Sequence, residues 1–128
     1  MNYYTNKTLE GTFDQVVDKV TNALKEEGFG ILSDIDVSET LKKKLDVNFR
    51  KYRILGACNP PNAHKALSAE PYIGLMLPCN VVVQETDDGK VDVAAVDPVA
   101  SMTAVENSDL KIVATNIKEK LERVINNL

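Results

Sequence analysis

Two amphipathic helical patterns, one near each end of the chain, constrain the fold more than any other feature of the sequence. Each repeats its apolar residues at three- or four-residue intervals, which places them on one stripe of a helix. The first stripe consists of Phe13, Val16, Val17, Val20 and Leu24. The second consists of Leu110, Val113, Ile117, Leu121, Val124 and Leu128. Both stripes need an apolar surface to pack against, and a sheet built from the segments between them would supply it.

The first helix also carries its own start and stop signals. Thr12 and Gln15 have capping-box spacing, and Asp14 lies in the first turn, where the helix dipole favours a carboxylate. Gly28 stands where a left-handed residue commonly ends a helix. The second helix is predicted to run from Ser108 to the end of the sequence.

The segments outside the two long helices predict five strands. Their predicted ranges are 2–10, 29–37, 48–58, 72–86 and 90–96. In the second strand, Ile31, Ile35 and Val37 are predicted to share one face. Pro78 interrupts the fourth strand and predicts a bulge, an edge or a break there, because proline cannot donate to a sheet ladder. The turn Asp87-Asp88-Gly89 predicts that the last two strands form a hairpin.

Two short helices complete the predicted order. One begins at Ser38 and runs to Leu45; the other follows Asn59-Pro60 and must end before Pro71. Its buried side is predicted to consist of Ala63, Ala66 and Leu67. We therefore predict a single domain over residues 1–128 of the α+β class. Its sheet is antiparallel, with both long helices on one face and two short extra helices.

Charge and hydropathy narrow the function classes. Fifteen Lys and Arg residues against nineteen Asp and Glu residues give a formal net charge of −4, which argues against nucleic-acid binding. The longest apolar stretch, from Ile73 to Val83, is broken by Pro78 and Asn80, so no membrane span is predicted. The first residues show no secretory pattern. We expect a cytoplasmic protein whose cysteines are free thiols.

The fourth predicted strand carries apolar residues on both faces. Val81, Val82 and Val83 follow one another, so one of the two sheet faces still needs a cover after the long helices have packed. The short helices or a second copy of the chain would provide it. We expect a homodimer.

The two cysteines carry the most distinctive chemistry. Cys58, followed by Asn59 and Pro60, lies where a strand meets a helix N-terminus, which would favour a thiolate. Cys79, followed by Asn80, lies at the irregular point after Pro78. If the thiols met, they would suit redox exchange or a soft metal, although their spacing matches no zinc or CxxC motif. Alternatively, both are small buried side chains without chemistry.

Two further ionisable residues belong to the candidate site. His64 is predicted on the exposed side of the second short helix, where it would be a ligand or base for Cys58 or only a surface residue. Asp97 is predicted to approach Cys79 across the hairpin if its register is regular. The sequence contains no phosphate-binding loop, dinucleotide fingerprint or catalytic triad, and the metal and the enzymatic status stay open.

The segments Gly56-Ala57-Cys58-Asn59-Pro60 and Leu77-Pro78-Cys79-Asn80 resemble the paired boxes of the domain-of-unknown-function 302 family. We refer to them as the GxCNP box and the LPCN box. The resemblance implies a TBP-like sheet in the order β-α-β4-α, commonly as a homodimer. It implies no nucleic-acid binding and no established activity.

Two functional hypotheses follow. The first is a non-enzymatic domain that binds a small ligand or a protein, with a pocket lined by the two boxes. The second is a thiol-based activity through Cys58 and Cys79: redox exchange, sulfur transfer or binding of a soft metal.

Overall fold

A computed structural model describes residues 2–128 and contains one five-stranded sheet. Every neighbouring pair of strands is antiparallel, and the spatial order is β1-β5-β4-β3-β2. The predicted antiparallel α+β architecture is confirmed. The strands are β1 (Tyr4–Leu9), β2 (Gly30–Asp36), β3 (Tyr52–Cys58), β4 (Cys79–Glu85) and β5 (Val91–Val96).

The helices are distributed between the strands. Helix α1 joins β1 to β2, which lie at opposite edges of the sheet and run in the same direction. The sequence left that direction open. The helices are α1 (Phe13–Glu26), α2 (Val37–Leu45), α3 (Pro60–Ala69), α4 (Pro98–Ser101) and α5 (Ser108–Asn126), with a 3₁₀ helix at Pro71–Met76.

Helix α1 begins and ends where its capping residues predict. The Thr12 hydroxyl accepts from the backbone N–H of Gln15 at 3.1 Å, and the Gln15 side chain accepts from the backbone N–H of Thr12 at 3.1 Å. Gly28 follows the helix with a φ of +84°, the left-handed conformation that glycine adopts without steric cost. The same three residues had predicted these boundaries.

The core lies between the two long helices and one face of the sheet. Every residue of the two predicted stripes is buried. The sheet contributes an equally aliphatic set from its three central strands: Leu55, Ala57, Val81, Val83, Val91, Val93 and Ala95. Because side chains alternate along a strand, Val82 and Ala94 point to the other face and remain partly exposed.

The prediction for the second strand was wrong in one respect. Its register shifts between Ile31 and Ser33, as in a β-bulge. Ile31 consequently pairs with Ala57 on the core face, whereas Ile35 pairs with Ile54 on the opposite face. Val37 starts α2, whose N-cap is Asp36 and not Ser38.

The fourth predicted strand is shorter than expected. Pro71 starts a 3₁₀ helix, and the strand itself begins at Cys79, directly after a cis Leu77–Pro78 peptide. The break predicted at Pro78 is therefore confirmed. The third strand likewise begins at Tyr52 and not at Asn48. Within residues 2–128, no helix has the length and apolar character needed to cross a bilayer.

Candidate functional site

The two cysteine boxes meet at one small cavity, which we call the thiol pocket. Its volume is about 260 Å³. The wall contains both thiols and Asn59, and none of its side chains is charged. The remaining lining residues are Phe29, Leu32, Ala57, Ala63, Leu67, Gly74, Leu77, Pro78 and Ile117.

Strand pairing explains why boxes twenty residues apart in sequence come together. Strand β3 ends with Cys58, β4 begins with Cys79, and Ala57 is the direct antiparallel partner of Cys79. Gly56 of the first box packs so closely on Pro78 of the second that a Cβ at this position would lie 2.7 Å from the Pro78 Cγ. The side chain of Ser33, at the bulge of β2, would also be in close contact with this Cβ.

Asn59 fixes the first box to its surroundings. Its Oδ1 accepts from the backbone N–H of Asn62 at 3.3 Å and from the Asn62 side chain at 3.1 Å, and its own Nδ2 donates to the Glu27 carbonyl at 3.3 Å. Asn62 also donates to the Asn116 Oδ1 at 3.1 Å. These bonds tie the start of α3 to the end of α1 and to α5.

Asn62 is a residue that the sequence analysis missed. It is buried together with Ala66, whereas Leu67, which was predicted on the buried side of α3, lies at the pocket with its side chain half exposed. The apolar pattern of α3 does not predict a buried asparagine, because an asparagine is buried only where its polar atoms find hydrogen-bond partners. Its position three residues after the N-cap was the available signal.

The two thiols differ in their burial. Cys79 is buried, and this burial, with a smaller contribution from the nearby Cys58, raises the pKa of the Cys79 thiol to about 11. Cys58 is partly exposed, and both are free. The Cys79 thiol is therefore protonated at neutral pH.

The start of α3 offers few backbone N–H groups to Cys58, although this residue lies directly before the helix. Pro60 and Pro61 occupy the first two positions of α3 and have no N–H group to donate. The next two N–H groups, of Asn62 and Ala63, are bonded to the side chain and the carbonyl of Asn59. A reactive cysteine normally has a cation beside it, and no Lys, Arg or His lines this pocket.

The other predicted site residues lie elsewhere. Asn80 lines a groove on the opposite sheet face, and His64 is exposed on α3 outside the pocket lining. Asp97 caps α4 by accepting from the backbone N–H groups of Val99 at 2.9 Å and Ala100 at 3.3 Å. Its carboxylate also pairs with Lys118 at 3.1 Å, which raises the pKa of that lysine. Of the six predicted residues, the pocket thus brings together Cys58, Asn59 and Cys79.

The residue types near the cysteines do not assemble a metal centre. Across residues 2–128, no group of three or more His, Cys, Asp or Glu side chains is arranged to hold a metal ion. The thiol pocket itself offers two sulfur ligands and no histidine or carboxylate.

The sheet face opposite the core forms a second cavity, the sheet-face groove, of about 750 Å³. Its floor includes Ala94 and Val82, which pair with each other. Val82 also pairs with Ile54, so an apolar row extends beyond the groove along the same sheet face. Ile35 continues the row at the edge strand. Polar and aromatic residues flank this row, among them Tyr4, Asn6, Tyr52, Asn80, Gln84 and Asp92.

Family comparison agrees with the paired boxes. A family model described as "Domain of unknown function DUF302" matches residues 5–128, nearly the whole chain and both boxes. The chain belongs to the DUF302 family. No curated protein matches the sequence.

A solved structure supports the DUF302 fold independently. The crystal structure of an uncharacterised conserved DUF302 protein from Bacillus stearothermophilus superposes with a TM-score of 0.91. The two sequences are 25% identical, and the match covers 98% of each chain. Neither the family description nor this structure names an activity, and a shared fold does not by itself imply one.

Proposed function

We propose that this DUF302 chain is a non-enzymatic binding domain whose thiol pocket takes a small apolar ligand. One observation carries the proposal. The GxCNP and LPCN boxes converge on a partly open apolar cavity whose lining contains no charged side chain. A concave apolar site with a few polar groups is the usual form of a small-molecule site.

The volume of the pocket limits the ligand. A cavity of about 150 Å³ accommodates benzene, which corresponds to roughly 25 Å³ per carbon atom. At that ratio, the 260 Å³ of the thiol pocket hold about ten carbon atoms. The Asn59 side chain is already hydrogen-bonded, and no charged side chain lines the pocket. The ligand portion inside is therefore neutral and weakly polar.

The chemistry of the thiols favours binding over the thiol-based alternative. Exchange and soft-metal binding both need thiolates. The raised pKa of Cys79 keeps it protonated, and no cationic side chain lines the pocket beside Cys58. Rapid reaction of native Cys58 with a thiol reagent at neutral pH, faster than that of a free cysteine, would restore the alternative.

Filling part of the pocket should weaken binding. Ala63→Leu adds three carbon atoms, which occupy roughly 75 Å³ of the cavity. The remaining volume holds about seven of the eight octanol carbons, so we expect about a fourfold loss of affinity for 1-octanol, measured by isothermal titration calorimetry. His64→Leu is the matched control, since it adds a similar side chain to the same helix outside the pocket, and it should bind octanol like the wild type.

Two results would contradict the small-ligand proposal. One is the absence of saturable octanol binding to the wild-type chain. The other is an equal loss of affinity in both variants, since a real pocket effect must distinguish neighbouring positions. Thermal unfolding of both variants would exclude misfolding as the cause.

We also propose that the chain forms a homodimer through its sheet-face groove. The row of Ile35, Ile54, Val82 and Ala94 crosses four strands and is only partly covered. A two-fold axis would lay this row on its own copy, and the polar flanks would form the rim. The two free cysteines are consistent with a cytoplasmic location.

A charge in the centre of the row should separate the subunits. Val82→Arg would bury a guanidinium against the partner's apolar row, so we expect the dimer dissociation constant to rise at least tenfold in sedimentation equilibrium. Ser68→Arg, which adds the same charge at an exposed position of α3, should leave association unchanged. A wild-type chain that sediments as a monomer would overturn this part of the proposal.

A further inference from the structure

We infer that a third cavity of the chain binds a small oxyanion that carries its own O–H group, as hydrogen phosphate and hydroxycarboxylates do. The cavity lies between the end of α1, the start of α3 and helix α5, and its volume is about 610 Å³. We call it the amide pocket, because Asn59, Asn62 and Asn116 line it. The inference does not depend on the ligand proposed for the thiol pocket.

The hydrogen bonds among the three asparagines determine which of their amide atoms remain free. The backbone N–H of Asn62 can only donate, so its bond of 3.3 Å identifies the acceptor on Asn59 as Oδ1. That oxygen also accepts from the Asn62 Nδ2 at 3.1 Å, and the same Nδ2 donates to the Asn116 Oδ1 at 3.1 Å. Both hydrogens of the Asn62 amide are therefore used. The groups left over are the Asn62 Oδ1, which is an acceptor, and the Asn116 Nδ2, which is a donor.

The free oxygen of Asn62 indicates a ligand that donates a hydrogen bond. Asn62 is only 7% exposed and lines the amide pocket. Nothing within residues 2–128 donates to its Oδ1, yet no buried side-chain polar atom in that range lacks a partner. The oxygen is therefore accessible, and the pocket is the opening that this buried residue lines. Sulfate and acetate have no O–H group to offer it, whereas hydrogen phosphate and glycolate have one.

The charges around the amide pocket favour an anion. Lys65 of α3 and Lys120 of α5 line it, and neither forms an ion pair within residues 2–128. In the same range, Glu27 is the only acidic residue of the lining, and its carboxylate pairs with Arg123 at 2.9 Å. Two ammonium groups thus remain without a carboxylate partner, although the chain has a net charge of −4. Together with the Asn116 Nδ2, they supply the charged and neutral donors that an oxyanion needs.

A comparison of matched ligands tests the role of the free oxygen. Inorganic phosphate and sulfate are titrated separately into the wild-type chain by calorimetry, at slightly alkaline pH and low ionic strength. Both are then dianions of similar size, but only hydrogen phosphate carries an O–H. Because a buried acceptor without a partner is costly, phosphate should bind at least about fivefold more tightly than sulfate. Glycolate and acetate provide the same comparison for carboxylates.

Asn116→Asp tests the donor side of the amide pocket. The new carboxylate can still accept from the Asn62 Nδ2, so the bonds among the three residues are retained, but it replaces the free donor with a negative charge. We expect at least about a tenfold loss of phosphate affinity from this repulsion. Asn126→Asp is the matched control, because Asn126 is an exposed residue of the same helix outside the pocket lining. It should bind phosphate like the wild type.

Lys120→Gln provides a second variant that leaves the asparagines intact. It removes one of the two ammonium groups, and we expect at least about a threefold loss of phosphate affinity. Lys111→Gln, at an exposed position of the same helix outside the lining, changes the net charge equally and should have no such effect. Thermal unfolding of all four variants shows whether each is folded.

The outcomes also identify the source of the oxyanion. Preferential binding of phosphate over sulfate assigns the amide pocket to inorganic phosphate, and preferential binding of glycolate over acetate assigns it to a hydroxycarboxylate; either result supports the inference. Absence of saturable binding for both phosphate and glycolate would overturn it. Equal affinities for ligands with and without the O–H would do the same, as would equal losses in each variant and its control. None of these results bears on octanol binding in the thiol pocket.

Discussion

Gly56→Ala should lower the free energy of unfolding by about 3 kcal/mol, at the upper end of the range for overpacked cores. The new Cβ would lie 2.7 Å from the Pro78 Cγ and would clash with the Ser33 hydroxyl. The hydroxyl can rotate away, whereas the proline ring cannot, so β3 and β4 would have to separate. Urea unfolding followed by circular dichroism measures the change.

Gly30→Ala is the matched control for this prediction. Gly30 belongs to the neighbouring strand β2, and no atom lies within 4 Å of its added Cβ. We expect a change of less than about 0.5 kcal/mol, as for most surface substitutions. Adding Ser33→Gly to Gly56→Ala should recover only part of the loss, because the contact with Pro78 remains. Equal stability of the two alanine variants would contradict the proposed packing of the boxes.

Asn59→Ala should cost about 2 to 4 kcal/mol of stability, more than an ordinary helix cap. The substitution removes the N-cap of α3, usually worth about 1 kcal/mol. It also removes the buried bond to the Asn62 side chain and the partly buried bond to the Glu27 carbonyl, and a buried polar group without a partner costs about a further 1 to 3 kcal/mol. The same unfolding experiment provides the measurement.

Thr12→Ala separates the cap from the buried network. Thr12 caps α1 by an equivalent side-chain bond but is exposed, so its loss should cost about 1 kcal/mol. A double-mutant cycle between Asn59→Ala and Asn62→Ala should show a coupling energy of at least 0.5 kcal/mol. If Asn59→Ala proved no more destabilising than Thr12→Ala, the network would have no role beyond capping.

The two long helices could be predicted because the residues that define them lie within the helices or next to their ends. Capping residues lie within a few positions of the helix ends, and each stripe follows from the helical period alone. The start of α3 at Asn59-Pro60 and the break at Pro78 were predictable for the same reason, since proline restricts its own backbone.

The misplaced residues depend on tertiary structure. A bulge at Ile31 reverses the side-chain alternation of β2, and only the pairing with β3 reveals that the extra residue is there. Leu75 and Tyr72 fit a strand by composition, but Pro71 starts a 3₁₀ helix instead. The hairpin register is regular, as the prediction for Asp97 required, but it does not direct the Asp97 carboxylate, which caps α4 and pairs with Lys118.

The position of β1 at the sheet edge has a consequence for synthesis of the chain on the ribosome. Tyr4 pairs with Val96, so β1 has no partner strand until most of the polypeptide has been made. Pairing between such distant segments is entropically costly and slows folding. We therefore expect this small protein to fold slowly for its size, with β1 as the last strand to join the sheet.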